Sequence, residues 1–201
     1  MRSGPELSLS REIASLLRLV RIHAEPVAVA PSSAELLDEM ERLRGTLASR
    51  YAGRAPAEIE GLAPARELYR SFHVDPTRAR PSSEALLRRL LQGKPLPSIL
   101  NAVDLCNLLS LQFLLPLGLY DVEKIQGPVH LRRGLAAESY AWIRKETVSH
   151  DFHAATLAGD LYPGAFPRST LEEYSGTARE AIARHLSDAG AGVEIESKIL
   201  P

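Results

Sequence analysis

The chain has 201 residues, 45% of them hydrophobic and 24% charged, as suits a soluble protein of one compact domain with a sizeable core, or one domain with an appended helical arm. A net charge of −1 excludes holding nucleic acid by global charge, so DNA is not expected as a partner and any RNA contact must come from a local patch. A single cysteine, Cys106, excludes an intramolecular disulfide and a thiolate metal cage, and no apolar run reaches membrane-spanning length or forms a signal segment; a cytoplasmic protein is expected.

Met1 to about Pro5 reads as a loose tail. Leu16–Ile22 has an alternating end and Pro26–Ala30 is a short apolar run, so one or both are expected as strands, with Arg11–Leu19 open to a helical turn or two. Ser32 and Glu35 have capping-box spacing, and Leu36, Leu37, Met40, Leu43 and Leu47 follow at helical spacing as far as Tyr51 and Gly53. Pro56–Val74 reads as a second helical stretch, interrupted at Ala63-Pro64, with Ile59, Leu62, Leu68, Tyr69 and Phe72 inward.

The next stretch, Tyr69 to Leu96, sets a basic, proline-punctuated loop against an amphipathic helix. Asp75-Pro76 and Arg80-Pro81 stop helix, because proline lacks a donor and pushes the preceding residue out of the α region. Ser82 or Ser83 is expected to cap the following helix, with Glu84 in its first turn, Leu86, Leu87, Leu90 and Leu91 on its apolar face and Gly93 just past its end. Arg66, Arg70, Arg78, Arg80, Arg88, Arg89 and Lys94 crowd this region against Glu67, Asp75 and Glu84. Guanidinium forks beside helix-start amides suit a phosphate or carboxylate. The alternative is a solvated face pinned by an Asp75–Arg78 or Glu84–Arg88 pair.

From Ile99 to Leu115 an apolar helix carries Asp104, Asn107 and Ser110 three apart, one polar line that needs partners inside the fold or in a pocket. Pro116-Leu117-Gly118 ends it. Tyr120–Leu131 reads as a turn and a strand, Ala141–Ile143 and Val148–Leu157 as possible strands, Ser169–Leu186 as a helix, and Val193–Ile195 as a short strand or tail. Helices and short strands occur in runs, without regular alternation, which favours an α+β fold.

Few residues bear chemistry of their own. His150 and His153 lack a third ligand at recognisable spacing, so no metal is expected, and no motif asks for a cofactor. His73 ends a helix beside the Asp75–Glu84 loop, where an imidazole near a carboxylate can act as a general base; the alternative is a histidine facing the helix dipole. Cys106 reads as a small core residue.

Tyr69-Arg70, Asp75-Pro76-Thr77-Arg78, Arg80-Pro81-Ser82-Ser83-Glu84-Ala85-Leu86, Arg88-Arg89, Gly93-Lys94, Leu96-Pro97, Val103-Asp104-Leu105, Asn107, Leu115-Pro116, Tyr120-Asp121, Lys124 and Gly127 form one ordered series. In this series the chain resembles the B3/B4 tRNA-binding domain family, the free-standing relatives of the editing domain of the phenylalanyl-tRNA synthetase β subunit. The likeness is close over 69–132 and faint elsewhere, so 1–201 is read as one B3/B4-like domain whose 1–55 part has diverged. The resemblance implies mixed β-sheet layers with packed helices. It also implies aminoacyl chemistry: an editing-type hydrolase acting on a mischarged aminoacyl-tRNA or related aminoacyl ester. Cys106 stands where the synthetase-embedded pattern has threonine, and Gly118 where it has histidine, so two pocket groups of that pattern are replaced.

On this reading Glu84 and His73 are the candidate catalytic groups. Asp75, Arg78, Arg80, Ser82, Ser83, Asp104, Asn107 and Tyr120 are expected to bind substrate, and Arg88, Arg89 and Lys94 to bind RNA. The partner is an aminoacyl-tRNA or a free amino acid. Two alternatives share the scaffold: a biosynthetic enzyme that binds a free, aromatic amino acid for an acid/base-assisted condensation or cyclisation, and a non-catalytic aminoacyl-binding module.

Overall fold

A computed structural model describes residues 5–134, 139–141, 147–149, 159–160, 168–187 and 192–200. The elements run β1 (Leu7–Leu9), α1 (Arg11–Ala14), β2 (Arg18–Glu25), α2 (Ala34–Arg50), α3 (Ala63–Ser71), α4 (Ser82–Leu91) and α5 (Asn101–Phe113). They continue with β3 (Val129–Leu131), β4 (Ser139–Ala141), β5 (Thr147–Ser149), β6 (Gly159–Asp160), α6 (Arg168–His185) and β7 (Glu194–Leu200). The fold is α+β, as expected.

The strand β2 organises the packing. It lies between β6 and β7, antiparallel to both, and pairs with β7 from Leu19↔Leu200 to Glu25↔Glu194. The period of two sends Leu19 and Val20 to opposite faces, and both are buried, because both faces of this strand are covered. Val20 joins Leu36 and Met40 of α2, Leu105, Leu108 and Leu109 of α5, and Leu171, Tyr174 and Ala178 of α6. Leu19 joins Ile13, Ala65, Leu68, Phe72 and Leu131, beneath the parallel β1–β3 pair. A third cluster of Leu47, Ile59, Leu62, Leu87, Leu90 and Leu111 seats α4 against α2 and α5. Among the described residues no helix is long and apolar enough to cross a membrane.

Several local expectations change. Pro26–Ala30 is no strand; Asn101 takes its backbone groups one by one, accepting from the Ala30 N–H at 3.0 Å and donating to the Ala28 carbonyl at 2.7 Å. Ser33, not Ser32, caps α2, accepting from the Leu36 N–H at 3.2 Å, because the Ser32 hydroxyl is drawn to Asp104. Neither Ser82 nor Ser83 caps α4. Pro81 occupies the cap position, and both serines fall in the first turn. The terminal stretch expected as three residues or a tail is the long strand β7, since β2 offers it a full edge. Ala63-Pro64 starts α3 where an interruption was expected, the missing proline N–H being one that a helix start leaves unpaired anyway. Ile143, His150, His153 and most of Val148–Leu157 lie outside the described residues.

Candidate functional site

Several of the expected site residues are engaged in holding loops and helices together. Glu84 is buried at 2% exposure, and both its carboxylate oxygens accept from Nη1 of Arg66, at 2.7 and 2.8 Å. The sequence suggested solvent-side Arg88 as its helical partner, but a carboxylate on the inner face of α4 meets the buried Arg66 of α3. His73 is exposed with φ 60°, its N–H donating to Arg70 O while the Val74 N–H reaches Tyr69 O. Those bonds make a Schellman motif with a histidine where glycine is usual. Ser82 and Ser83 place hydroxyls at buried positions without a hydrogen bond among the described residues.

The basic loop is open. Asp75 accepts from the backbone N–H and hydroxyl of Thr77, both at 2.8 Å, and those two bonds hold its carboxyl below the usual range. Arg78 stands 3.8 Å from Asp75 with its side chain 90% exposed, and Arg80 is exposed as well. Tyr120 lies far along the chain in an exposed segment after α5.

Asp104 holds a different piece of the fold. It is fully buried and accepts from the Ser32 hydroxyl at 2.6 Å, the Ser98 hydroxyl at 3.0 Å and the Ile99 N–H at 3.0 Å. Ser110 closes the far end of α5 on the Leu115 carbonyl at 2.7 Å, while Asn107 between them is only half-buried. The expected polar line exists, therefore, but Asp104 and Ser110 in it serve loops.

One of those loops walls a cavity. After α4, Gly93 adopts φ 71° in a second Schellman turn, with its N–H on Leu90 O and the Lys94 N–H on Arg89 O. Arg89 Nε then donates to the Pro95 carbonyl at 2.6 Å, and Asp104 fixes Ser98 and Ile99. Between this pinned loop and α2 lies a cavity of about 430 Å³, lined by Leu37, Met40, Glu41 and Arg44 on one side and Gly93, Pro95, Leu96 and Ser98 on the other. Arg44 donates its Nε–H to Glu41 at 2.8 Å and an Nη2–H to the other carboxylate oxygen. Those bonds hold the Glu41 carboxyl below its ordinary range and the Arg44 guanidinium above its own.

Of the expected site residues, then, Arg89 and Asp104 position a cavity wall and Lys94 lies within that loop. Glu84, His73, Asp75, Arg78, Arg80, Ser82, Ser83, Asn107, Tyr120 and Arg88 are not among its lining residues. The residues missed are Leu37, Met40, Glu41 and Arg44 on α2. Their only sequence signal was an opposite-charge i,i+3 pair beside an apolar stripe, which reads as an ordinary helix surface.

Comparison with known proteins bears on the same loop. Residues 64–159, from α3 through β6, match the family described as the B3/4 domain. Over those residues the chain is similar to B3/4 domains. Across 180 residues, 88% of the chain, it is 26% identical to the phenylalanine–tRNA ligase β subunit of Chromobacterium violaceum. The chain spans about a fifth of that subunit's length, since the match covers 20% of it. No solved structure matches significantly. The B3/4 match includes the loop wall of the cavity, whereas α2 lies outside it.

Proposed function

We propose that this protein is an editing-type hydrolase that binds the aminoacyl end of a mischarged tRNA and cleaves the ester. The likeness to a tRNA ligase β subunit over 88% of the chain carries this reading. In the reaction water adds to the ester carbonyl carbon, the bond to the ribose oxygen breaks, and the proton lost by water ends on that oxygen. The products are a free amino acid and an uncharged tRNA. This chemistry asks the protein mainly to orient the ester and stabilise charge on its oxygen. It does not need Glu84 or His73 as a base.

The condensation alternative depended on acid–base work by Glu84 and His73, and it loses support with them. Glu84 is closed off by Arg66, and His73 is a helix-ending residue turned to solvent. The test is deacylation of tRNAs charged with different apolar amino acids, followed by acid gel. Release above the buffer rate, selective for one aminoacyl group, is the expected result. No release from any of them, together with no retardation of tRNA in a gel, overturns the proposal.

A further inference from the structure

The cavity beside α2 has a lining that matches one kind of small molecule. Leu37, Met40, Glu41 and Arg44 fall on one helical face at spacings of three, four and seven, so apolar and charged groups meet the same space. Leu96 adds an apolar surface opposite, on a wall completed by Gly93, Pro95 and Ser98. The cavity, at about 430 Å³, falls in the usual range for small-molecule sites. Met40 gives part of that wall an adaptable surface.

The charges are balanced. Arg44 is the only cation and Glu41 the only anion among the lining residues. Their contact uses the Nε–H and one Nη2–H of the guanidinium. The remaining guanidinium N–H groups and further carboxylate lone pairs can take ligand without breaking the pair. A phosphate would call for more positive charge, and a plain hydrocarbon would leave both groups unused. A ligand that carries an ammonium group next to an acyl oxygen, with an apolar substituent on the carbon between them, meets every feature.

We propose that this cavity recognises an α-aminoacyl unit with an apolar side chain: Glu41 holds its ammonium group, Arg44 its acyl oxygen, and Leu37, Met40 and Leu96 its side chain. Two sources present that unit, a free amino acid and the aminoacyl end of a tRNA. A free carboxylate takes two guanidinium N–H groups, whereas an ester offers one carbonyl oxygen. The inference rests on the proposed function only for the second source.

The experiment is calorimetric titration of the full chain with leucine and phenylalanine, their amides, their N-acetyl derivatives, and adenosine carrying either aminoacyl group through a stable 3′-amide. Binding of the amino acid or of the adenosine conjugate, weakened about tenfold or more by N-acetylation, is expected, since a charge-assisted hydrogen bond is lost. Glu41→Gln and Arg44→Gln should each weaken it about tenfold as well. Leu37→Trp, a change at a partly exposed position that fills the cavity mouth, should abolish it. Melting curves identify variants that remain folded, and Leu37→Trp keeps the charged pair intact should either glutamine variant unfold. Preference for the free acid over its amide and the conjugate assigns the site to a free amino acid, and the reverse order to the tRNA end. No binding of either ligand at millimolar concentration overturns the proposal. So does binding that N-acetylation and folded variants leave unchanged. Deacylation that is indifferent to Leu37→Trp removes this site but leaves the proposed function. Amino acid binding without any deacylation does the opposite.

Discussion

Removing the Glu84 carboxylate would leave the Arg66 guanidinium charged in a place nearly closed to water, since Arg66 is 7% and Glu84 2% exposed. Breaking one side of a buried pair costs about 3–5 kcal/mol, because the remaining charge keeps its desolvation penalty and loses its partner. Glu84→Gln is therefore expected to lower unfolding free energy by about that much in a urea titration. Arg66→Met with Glu84→Leu should recover most of the loss, since the double change leaves no charge behind. A Glu84→Gln protein as stable as the wild type would mean the pair contributes nothing. His73 calls for the opposite change. An L-residue in the left-handed region is strained by about 1–2 kcal/mol, so His73→Gly should stabilise the chain by up to about 1 kcal/mol after the entropy of glycine is subtracted. Its deacylation rate should not change; a large drop would return His73 to the reacting groups. Residue types suggested chemistry at both positions because carboxylate and imidazole look the same in a sequence whether they serve a reaction or a fold. What decides is the inward phase of Glu84 on α4, facing Arg66, and the hydrogen bonds that end α3 at His73.

At the scale of elements, α5 shows how far periodicity carries. The apolar run predicts its length and its polar line, and Asp104 and Ser110 are buried with partners. The spacing does not say that those partners are the loops before α2 and before α5 for Asp104, and the turn just after α5 for Ser110. Asp104 accepts from three side-chain or backbone groups, and Asp104→Ala would strand the Ser98 and Ile99 donors in the cavity wall. Aminoacyl binding at the cavity should weaken in that variant more than Leu37-side contacts alone require, and calorimetry on the folded protein would show it. The same helix carries Cys106, whose burial pushes its thiol from 9.0 up to about 11. The folded chain prefers the neutral thiol, so this group's contribution to stability is whole below about pH 9 and is lost as pH rises through about 11. Iodoacetamide should accordingly modify Cys106 slowly at pH 8 until urea unfolds the chain. Fast labelling of the native protein would place the thiol in an open, activating environment.

Across the whole molecule, a net charge of −1 limits how RNA can be held. Contacts must be few and local, and the exposed Arg88 and Lys94 at the end of α4 adjoin the loop that walls the cavity. Arg89 differs from them because its Nε is engaged with the Pro95 carbonyl. If the acceptor end of a tRNA enters the cavity, its phosphates pass this corner, and each phosphate contact to a single strand adds about 0.7 to the slope of log affinity against log salt. Replacing both Arg88 and Lys94 by Ala should then flatten that slope by about 1.4 while leaving the folded state intact, because both side chains lie in solvent. Arg89→Ala should act differently, loosening the loop and weakening binding of the free amino acid and the adenosine conjugate as well. Filter binding of an acceptor-stem minihelix at four salt concentrations separates the two effects. An unchanged slope in the Arg88/Lys94 double variant would mean that RNA, if bound, approaches from another face of the molecule.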